Sequence, residues 1–323
     1  MRLLGLKMLS NIEDILFYRV YIELFIKVVL PEFCDIQGGI NVELIRKKNS
    51  IHSMELKSRN GVSYLQFPEF EKTGLVKHLF STRAGGVSEG YLGTMNLSYS
   101  RGDKKENVDE NFRRISEILD CPLERFVLSA QTHTTNIRIV SKEDGGKGII
   151  KKADYTDVDG LITNEKNLVL STFFADCVPL FFLDTKRQVI ALSHSGWRGT
   201  VGKIGEKTIE IMCSEFGSEK KDIITAIGPS ICKDCYEVGP EVAKAFYDIF
   251  SKEQTDKIVY PKKAGHYQLD LWQANYQIFL DAGLQPQQIC TTDICTSCNK
   301  ENLFSHRASN GKRGNLGAFM MLT

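Results

Sequence analysis

The sequence predicts a single α+β domain in which mixed β-sheets are flanked by helices, and three observations lead there. Short β-branched and aromatic runs alternate with helix-period segments, but without the regular strand–helix–strand order of a doubly wound parallel sheet. No short-period repeat or low-complexity tract interrupts the chain. Its 323 residues, 42% hydrophobic and 25% charged, suit a soluble globular protein with ample core material.

Taken in order, residues 1–53 are expected to be an extension, poorly ordered or foreign to the natural product, with the catalytic domain at 54–323. Ile15 to Leu30 is apolar, but Arg19, Glu23 and Lys27 interrupt it. Three charges in sixteen residues argue against a membrane span, and their i, i+4, i+8 spacing suits one stripe of an amphipathic helix. From Met54 the stretch MELKSRNGVSYLQF reads as the start of the compact domain. GLVKHLFST (74–82) is an expected strand running into the glycine-dense loop 83–98. Val108, Phe112, Ile115 and Leu119 recur at helical spacing. RFVLSAQTH, NIRIVS, GLITN, LVLSTFF, PLFFLD and QVIALSHSG, all between 125 and 196, read as strands. Ile204, Ile209, Met212 and Phe216 predict a helix that closes at Gly217. IITAIGPS is a further strand, PEVAKAFYDIF and LDLWQANYQIFLDAG are helices, and LGAFMML is the final strand.

Lys+Arg 41 against Asp+Glu 40 leaves a net charge of +1, so electrostatics make no case for nucleic acid or a membrane as partner. Small-molecule chemistry is the natural expectation. Nine cysteines, an odd number at irregular spacing, do not form the framework of a small secreted domain, and a reducing cytoplasm fits better.

The stretch STFFADCVPLFFLD (171–184) is anomalous. A strand buried on both faces has no place for an unpaired carboxylate such as Asp176, and Pro179 cannot donate to a sheet ladder. His133, Cys177 and His194 each close an apolar strand, where loops assemble sites. Two imidazoles and a thiolate form a plausible zinc set with one position open, although separations of this length match no zinc finger. Read singly, each histidine is better explained by a structural hydrogen bond, and Cys177 by an inert buried thiol. Arginine beside glycine is a second theme: Arg83 in STRAGGVS, Arg198 in SGWRGTVGK, and Arg307, Lys312 and Arg313 after His306 in SHRASNGKRGNLG. Such segments suit phosphate or carboxylate, or they are simple turns carrying solvated arginines. Two C-x-x-C pairs, Cys232/Cys235 and Cys295/Cys298, are candidates for a second metal, with reduced thiols as the alternative.

Together STRAGGVS, QTH, DVDGLIT, ADCVP, HSGWRG, IGPSI…CYEVG and SHRA…GKRG resemble the YfiH/YlmD family over about residues 60–322. That family is also called the multicopper polyphenol oxidoreductase (laccase-domain) family and is described as purine nucleoside phosphorylases. The resemblance implies a YfiH-like fold with zinc on His133, Cys177 and His194. It implies phosphorolysis of adenosine, inosine, guanosine and methylthioadenosine, and adenosine deamination. In that frame Asp176 is a candidate proton carrier, or a brace for its own turn. Arg83 with Arg198, Arg307 or Arg313 would hold phosphate, the co-substrate, and Asn96 and Asp159 would orient substrate. A homodimer is compatible with the resemblance. Copper in the same site, as in the older oxidase label, is an alternative, although six histidines are few for a multicopper enzyme. Editing of peptidoglycan precursors, with a nucleotide-sugar substrate, is another.

Overall fold

A computed structural model of the protein describes residues 42–47 and 54–323. The rest of the expected extension, including the amphipathic stripe at 15–30, lies outside the described residues. Residues 42–47 pack on the body of the domain: Val42 is buried, Arg46 bridges in strand fashion to Ile294, and its guanidinium pairs with Asp293 at 3.0 Å. Residues Ile40–Thr323 form one compact unit.

The domain opens with a hairpin, β1 (Glu55–Arg59) and β2 (Val62–Gln66), turned by Asn60 and Gly61. Both turn residues have positive φ (52° and 77°), the conformation for which Asn-Gly is favoured. Helix α1 (Pro68–Lys72), strand β3 (Val76–Ser81) and helix α2 (Lys105–Leu119) follow, then β4 (Phe126–Leu128) and β5 (Ile137–Ile139). The central run holds β6 (Gly160–Thr163), β7 (Val169–Phe174), β8 (Val178–Asp184) and β9 (Val189–Ser195). A short helix α3 (Trp197–Val201) leads into α4 (Ile204–Phe216), which ends at Gly217, φ 67°, as expected. Then come β10 (Ile223–Ile227), β11 (Glu237–Val238), α5 (Pro240–Tyr247), α6 (Lys252–Ile258), β12 (Val259–Pro261) and β13 (Tyr267–Leu269). Helix α7 (Leu271–Asp281), capped by the Asp270 carboxylate, β14 (Ile289–Thr291) and β15 (Leu316–Leu322) complete the chain.

The strands form two six-stranded mixed sheets, ordered β1-β2-β3-β15-β7-β4 and β14-β10-β8-β9-β6-β5, with a small third sheet β11-β13-β12. This is the expected α+β class. The two large sheets share one core, in which Leu65, Phe80, Leu170 and Met320 of the first meet Phe181, Leu183, Ile190 and Leu192 of the second. Outside the first sheet, Phe126, Val169 and Phe319 pack on Phe112 and Ile115 of α2. Outside the second, Leu180, Phe182 and Ala191 pack on Ile209 and Met212 of α4 and Phe279 of α7. Because strand side chains alternate, consecutive Phe181 and Phe182 fill different cores and both are fully buried, each contributing about 1.5–3 kcal/mol. No helix among the described residues is long and apolar enough to cross a membrane.

The break inside STFFADCVPLFFLD now has a cause. Residues 171–174 end β7 in the first sheet, and from Val178 the chain runs as β8 in the second. Ala175, Asp176 and Cys177 are the crossing between sheets. The same crossing occurs between β4 and β5, and His133 lies there. Pro179 is the second residue of β8, at the end of a central strand and opposite His194.

Candidate metal centre

Both crossings need backbone reversals, and the chain makes them with non-glycine residues at positive φ, Asp176 at 86° and His133 at 68°. Such conformations cost about 1–3 kcal/mol each and persist where surrounding contacts over-determine them. For Asp176 those contacts are the Thr296 hydroxyl to Oδ1 at 2.6 Å, the Arg307 N–H to Oδ2 at 2.7 Å and the Ile231 N–H to the main-chain oxygen at 3.0 Å. For His133 it is Asp159, whose carboxylate accepts the N–H groups of Thr132, His133 and Thr134 at 2.9–3.1 Å.

These turns bring His133, Cys177 and His194 together, with one potential ligand atom from each within 4.8 Å of the others. The Cys177 sulfur is 4.0 Å from Nε2 of His133, and the two imidazoles meet edge to face with centroids 4.9 Å apart. His194, the next-to-last residue of β9, is tied through Nδ1 to Asp159 Oδ1 at 2.7 Å. With Nδ1 donating to a carboxylate, Nε2 is the nitrogen left as a ligand. Gly196 completes the shape. A Cβ there would stand 3.1 Å from both Cys177 Sγ and His133 Cδ2. Two imidazoles, a thiolate, a carboxylate-oriented histidine and an adjoining cavity fit a metal with three protein ligands and an open position.

The charges support this. Burial would raise the Cys177 thiol, but the neighbouring His194 charge and the His133 and His194 hydrogen bonds outweigh it and lower the pKa to about 6. Burial would lower His194, yet the Cys177 charge and the Asp159 hydrogen bond lift it to about 9.

The three ligands open on a cavity of about 340 Å³ whose apolar wall includes Leu97, Leu128, Phe173 and Phe174. Arg101 and Arg313 line it as well. Arg313 is only 9% exposed, and the Nε donors of both arginines are buried without a partner. Burial, and then the Arg101 charge, lowers the Arg313 guanidinium to about 10. Arg313 donates through Nη1 to the Gly314 carbonyl and to Asn315, and two cationic side chains on one cavity are the chemistry an anion would require.

Other residues singled out in the sequence are placed differently. Arg83 donates to the carbonyls of Gly93 and Lys300 and lies over the Phe304 ring at 4.6 Å. Gly86, three residues further on, serves a close approach, since a Cβ there would come within 2.1 Å of the Thr94 oxygen. Arg198 is exposed over Trp197, and Arg307 binds the carbonyls of Cys235 and Glu237. None of these three lines the cavity. Asn96 is fully buried and spends its amide on Ser98, Asp103 and Asn315. Asp159, also fully buried, faces His194 and the 132–134 turn instead of the cavity. Asp176 braces its own turn. The sequence reading missed Arg101, although its Arg-Gly step in SYSRGD repeats the pattern used for Arg198.

Residues 77–323 match the family described as multi-copper polyphenol oxidoreductase laccase. Over 242 residues the chain is 35% identical to the protein named purine nucleoside phosphorylase YlmD of Bacillus subtilis (strain 168), covering 75% of this chain and 86% of the relative. A protein named adenosine deaminase RL5, from an unknown prokaryotic organism, is 33% identical over 247 residues, 74% of this chain and 93% of its own. The crystal structure of the hypothetical protein YfiH of Bacillus licheniformis superposes with a TM-score of 0.79 at 32% identity, covering 84% of this chain and 99% of that one.

Proposed function

Because the chain belongs to the multi-copper polyphenol oxidoreductase laccase family, in which YfiH and YlmD stand, we propose that it is a zinc-dependent purine nucleoside phosphorylase with adenosine deaminase activity. Supporting this is one cavity lined both by His133, Cys177 and His194 and by the cationic side chains of Arg101 and Arg313. In phosphorolysis a phosphate oxygen bonds to C1′ of the ribose, the C1′–N bond breaks, and its electron pair leaves with the purine, which takes up a proton. Arg101 and Arg313 hold the phosphate, their charge-assisted hydrogen bonds fixing the attacking oxygen. Phe173 and Phe174, with Leu97 and Leu128, give the flat purine an apolar wall. Asp159 keeps His194 in one tautomer. When bound, zinc supplies a Lewis acid that polarises a substrate oxygen or acidifies a water, the latter being what replacement of the adenine amino group requires.

The donor set serves one metal ion. Among the described histidines, His78 is buried in the core and His266 pairs with Glu237 at 3.6 Å. His306 does not line the cavity either.

Incubation of the purified protein with inosine, with and without phosphate, tests the reading. Phosphate-dependent release of hypoxanthine and ribose 1-phosphate, with zinc bound and lost in Cys177→Ala, is the expected result. Release that ignores phosphate, or turnover that survives loss of the metal, would overturn it.

A further inference from the structure

Four thiols outside the cavity meet at one point. Cys232 and Cys235 lie on the loop after β10, Cys295 and Cys298 on the loop after β14. β10 and β14 are parallel neighbours, Thr225 to Ile227 beside Ile289 to Thr291, and their pairing continues past the strand ends as a bridge between Ser230 and Cys295. Thr296 donates its N–H to the Ser230 oxygen at 3.1 Å in the same ladder. Sheet topology thus joins two C-x-x-C pairs that sequence separation holds apart.

The four Sγ atoms lie within 4.8 Å of one another, those of Cys235 and Cys298 at 3.5 Å, and all four are free thiols. Cys232 and Cys295 are buried. The sulfur of Cys295 receives two main-chain N–H groups, from Cys232 at 3.2 Å and Cys298 at 3.4 Å. Such donors stabilise a thiolate and have little value to a thiol.

We propose that Cys232, Cys235, Cys295 and Cys298 hold a structural zinc ion as a closed tetrathiolate. With zinc–sulfur bonds of about 2.3 Å, the edge of a sulfur tetrahedron is ~3.8 Å, a spacing the four Sγ atoms reach with small side-chain rotations. An iron–sulfur cluster spreads its thiolates over more than one iron and needs them further apart. Four protein ligands leave no open position, so the ion holds structure and does no chemistry. Each thiol gives up its proton on binding, and the resulting net charge of −2 meets a cation, because Lys47, bound to Asp234 at 3.0 Å, feels both Cys232 and Cys298.

The ion would clamp the two loops that hold the sheet crossing in place. Ile231, beside Cys232, and Thr296, beside Cys295, supply two of the three bonds to Asp176, which precedes Cys177. The Cys235 carbonyl also anchors Arg307, whose N–H supplies the third. This inference does not depend on the proposed reaction.

The test uses the full chain purified under argon without chelator, with zinc counted by mass spectrometry and its surroundings read by X-ray absorption. In His133→Ala/Cys177→Ala, which removes ligands from the first centre only, about one zinc per chain should remain with an all-sulfur shell near 2.3 Å. Cys235→Ser/Cys298→Ser should lose one zinc equivalent relative to wild type. Should that variant fail to fold, the absorption spectrum of the first decides alone. Four titratable thiols without metal, two disulfides, a bound iron, or a shell containing nitrogen would each overturn the assignment. Failure of the phosphorylase reading leaves these outcomes untouched.

Discussion

The carboxylate of Asp159 stands 2.7 Å from Nδ1 of His194, and neither side chain is more than 4% exposed. The same carboxylate receives the N–H of His133, so one buried acid positions two of the three candidate metal ligands. Asp159→Asn should weaken metal binding about 10–100-fold, as loss of such an outer partner does elsewhere. Competition against a chelator of known affinity measures it, and an unchanged dissociation constant would reduce Asp159 to a brace for the 132–134 turn.

Cys177 at about 6 and His194 at about 9 make the metal-free centre a thiolate–imidazolium pair between those pH values. A metal can bind His194 only after its proton leaves. Binding at pH 7.5 should therefore release about one proton, and below pH 6 a further one from the Cys177 thiol, so affinity falls as pH falls. Calorimetric titration in two buffers of different ionisation enthalpy counts the protons. No release at pH 7.5 would disprove the pair.

Arg101→Met and Arg313→Met should each raise the KM for phosphate by roughly 10–100-fold, the worth of one charge-assisted hydrogen bond of about 1.5–3 kcal/mol. The KM for inosine and the rate of adenosine deamination, which needs no phosphate, should change little. Phosphate and nucleoside titrations separate the two, and an equal rise in both KM values would place these arginines elsewhere in the mechanism.

His78 lies on β3 among Phe67, Phe70 and Phe181, accepting the Phe67 N–H on Nε2 at 2.9 Å. Burial, aided by the Lys57 charge, lowers its pKa to about 3. The unfolded chain takes the proton near the ordinary value of 6.5. Stability is therefore complete above pH 6.5 and declines as pH falls toward 3, because the unfolded state binds the extra proton. Between pH 6.5 and 5 the loss is about 2 kcal/mol. In His78→Gln, whose amide oxygen can still accept the Phe67 N–H, that part of the slope should vanish. Urea unfolding at the two pH values gives the comparison, and parallel slopes would count against His78.

The candidate metal ligands were legible because burial and chemistry disagree in the sequence around them. Cys177 interrupts a run of phenylalanines, and His194 ends a run of aliphatics. The candidate anion site was less legible. Arg83, Arg198 and Arg307 share the glycine-rich surroundings of Arg101 and Arg313, and what separates them is where each guanidinium ends up: Arg83 and Arg307 are taken by carbonyls distant in sequence, Arg198 lies exposed over Trp197, and Arg101 and Arg313 line the cavity. Asp159 looked like a substrate ligand because sequence does not show which way an acid beside a strand faces. The mixed class followed from element order, while the pairing of β4 with β7 or β10 with β14 depends on long-range closure that local patterns do not encode. The small strands β11 to β13 are too short to leave a periodic signal.

Strand β15, last in sequence, lies between β3 and β7 in the middle of the first sheet. The Gly317 N–H donates to the Ser81 hydroxyl across 236 residues. On a ribosome, the hairpin and β3 therefore emerge long before their partner, with a hydrophobic edge that stays unpaired until residue 322 has been made. The newborn chain is most exposed to aggregation and proteolysis over that whole interval. Loss of β15 removes the middle of a sheet, where a peripheral strand would have cost only an edge.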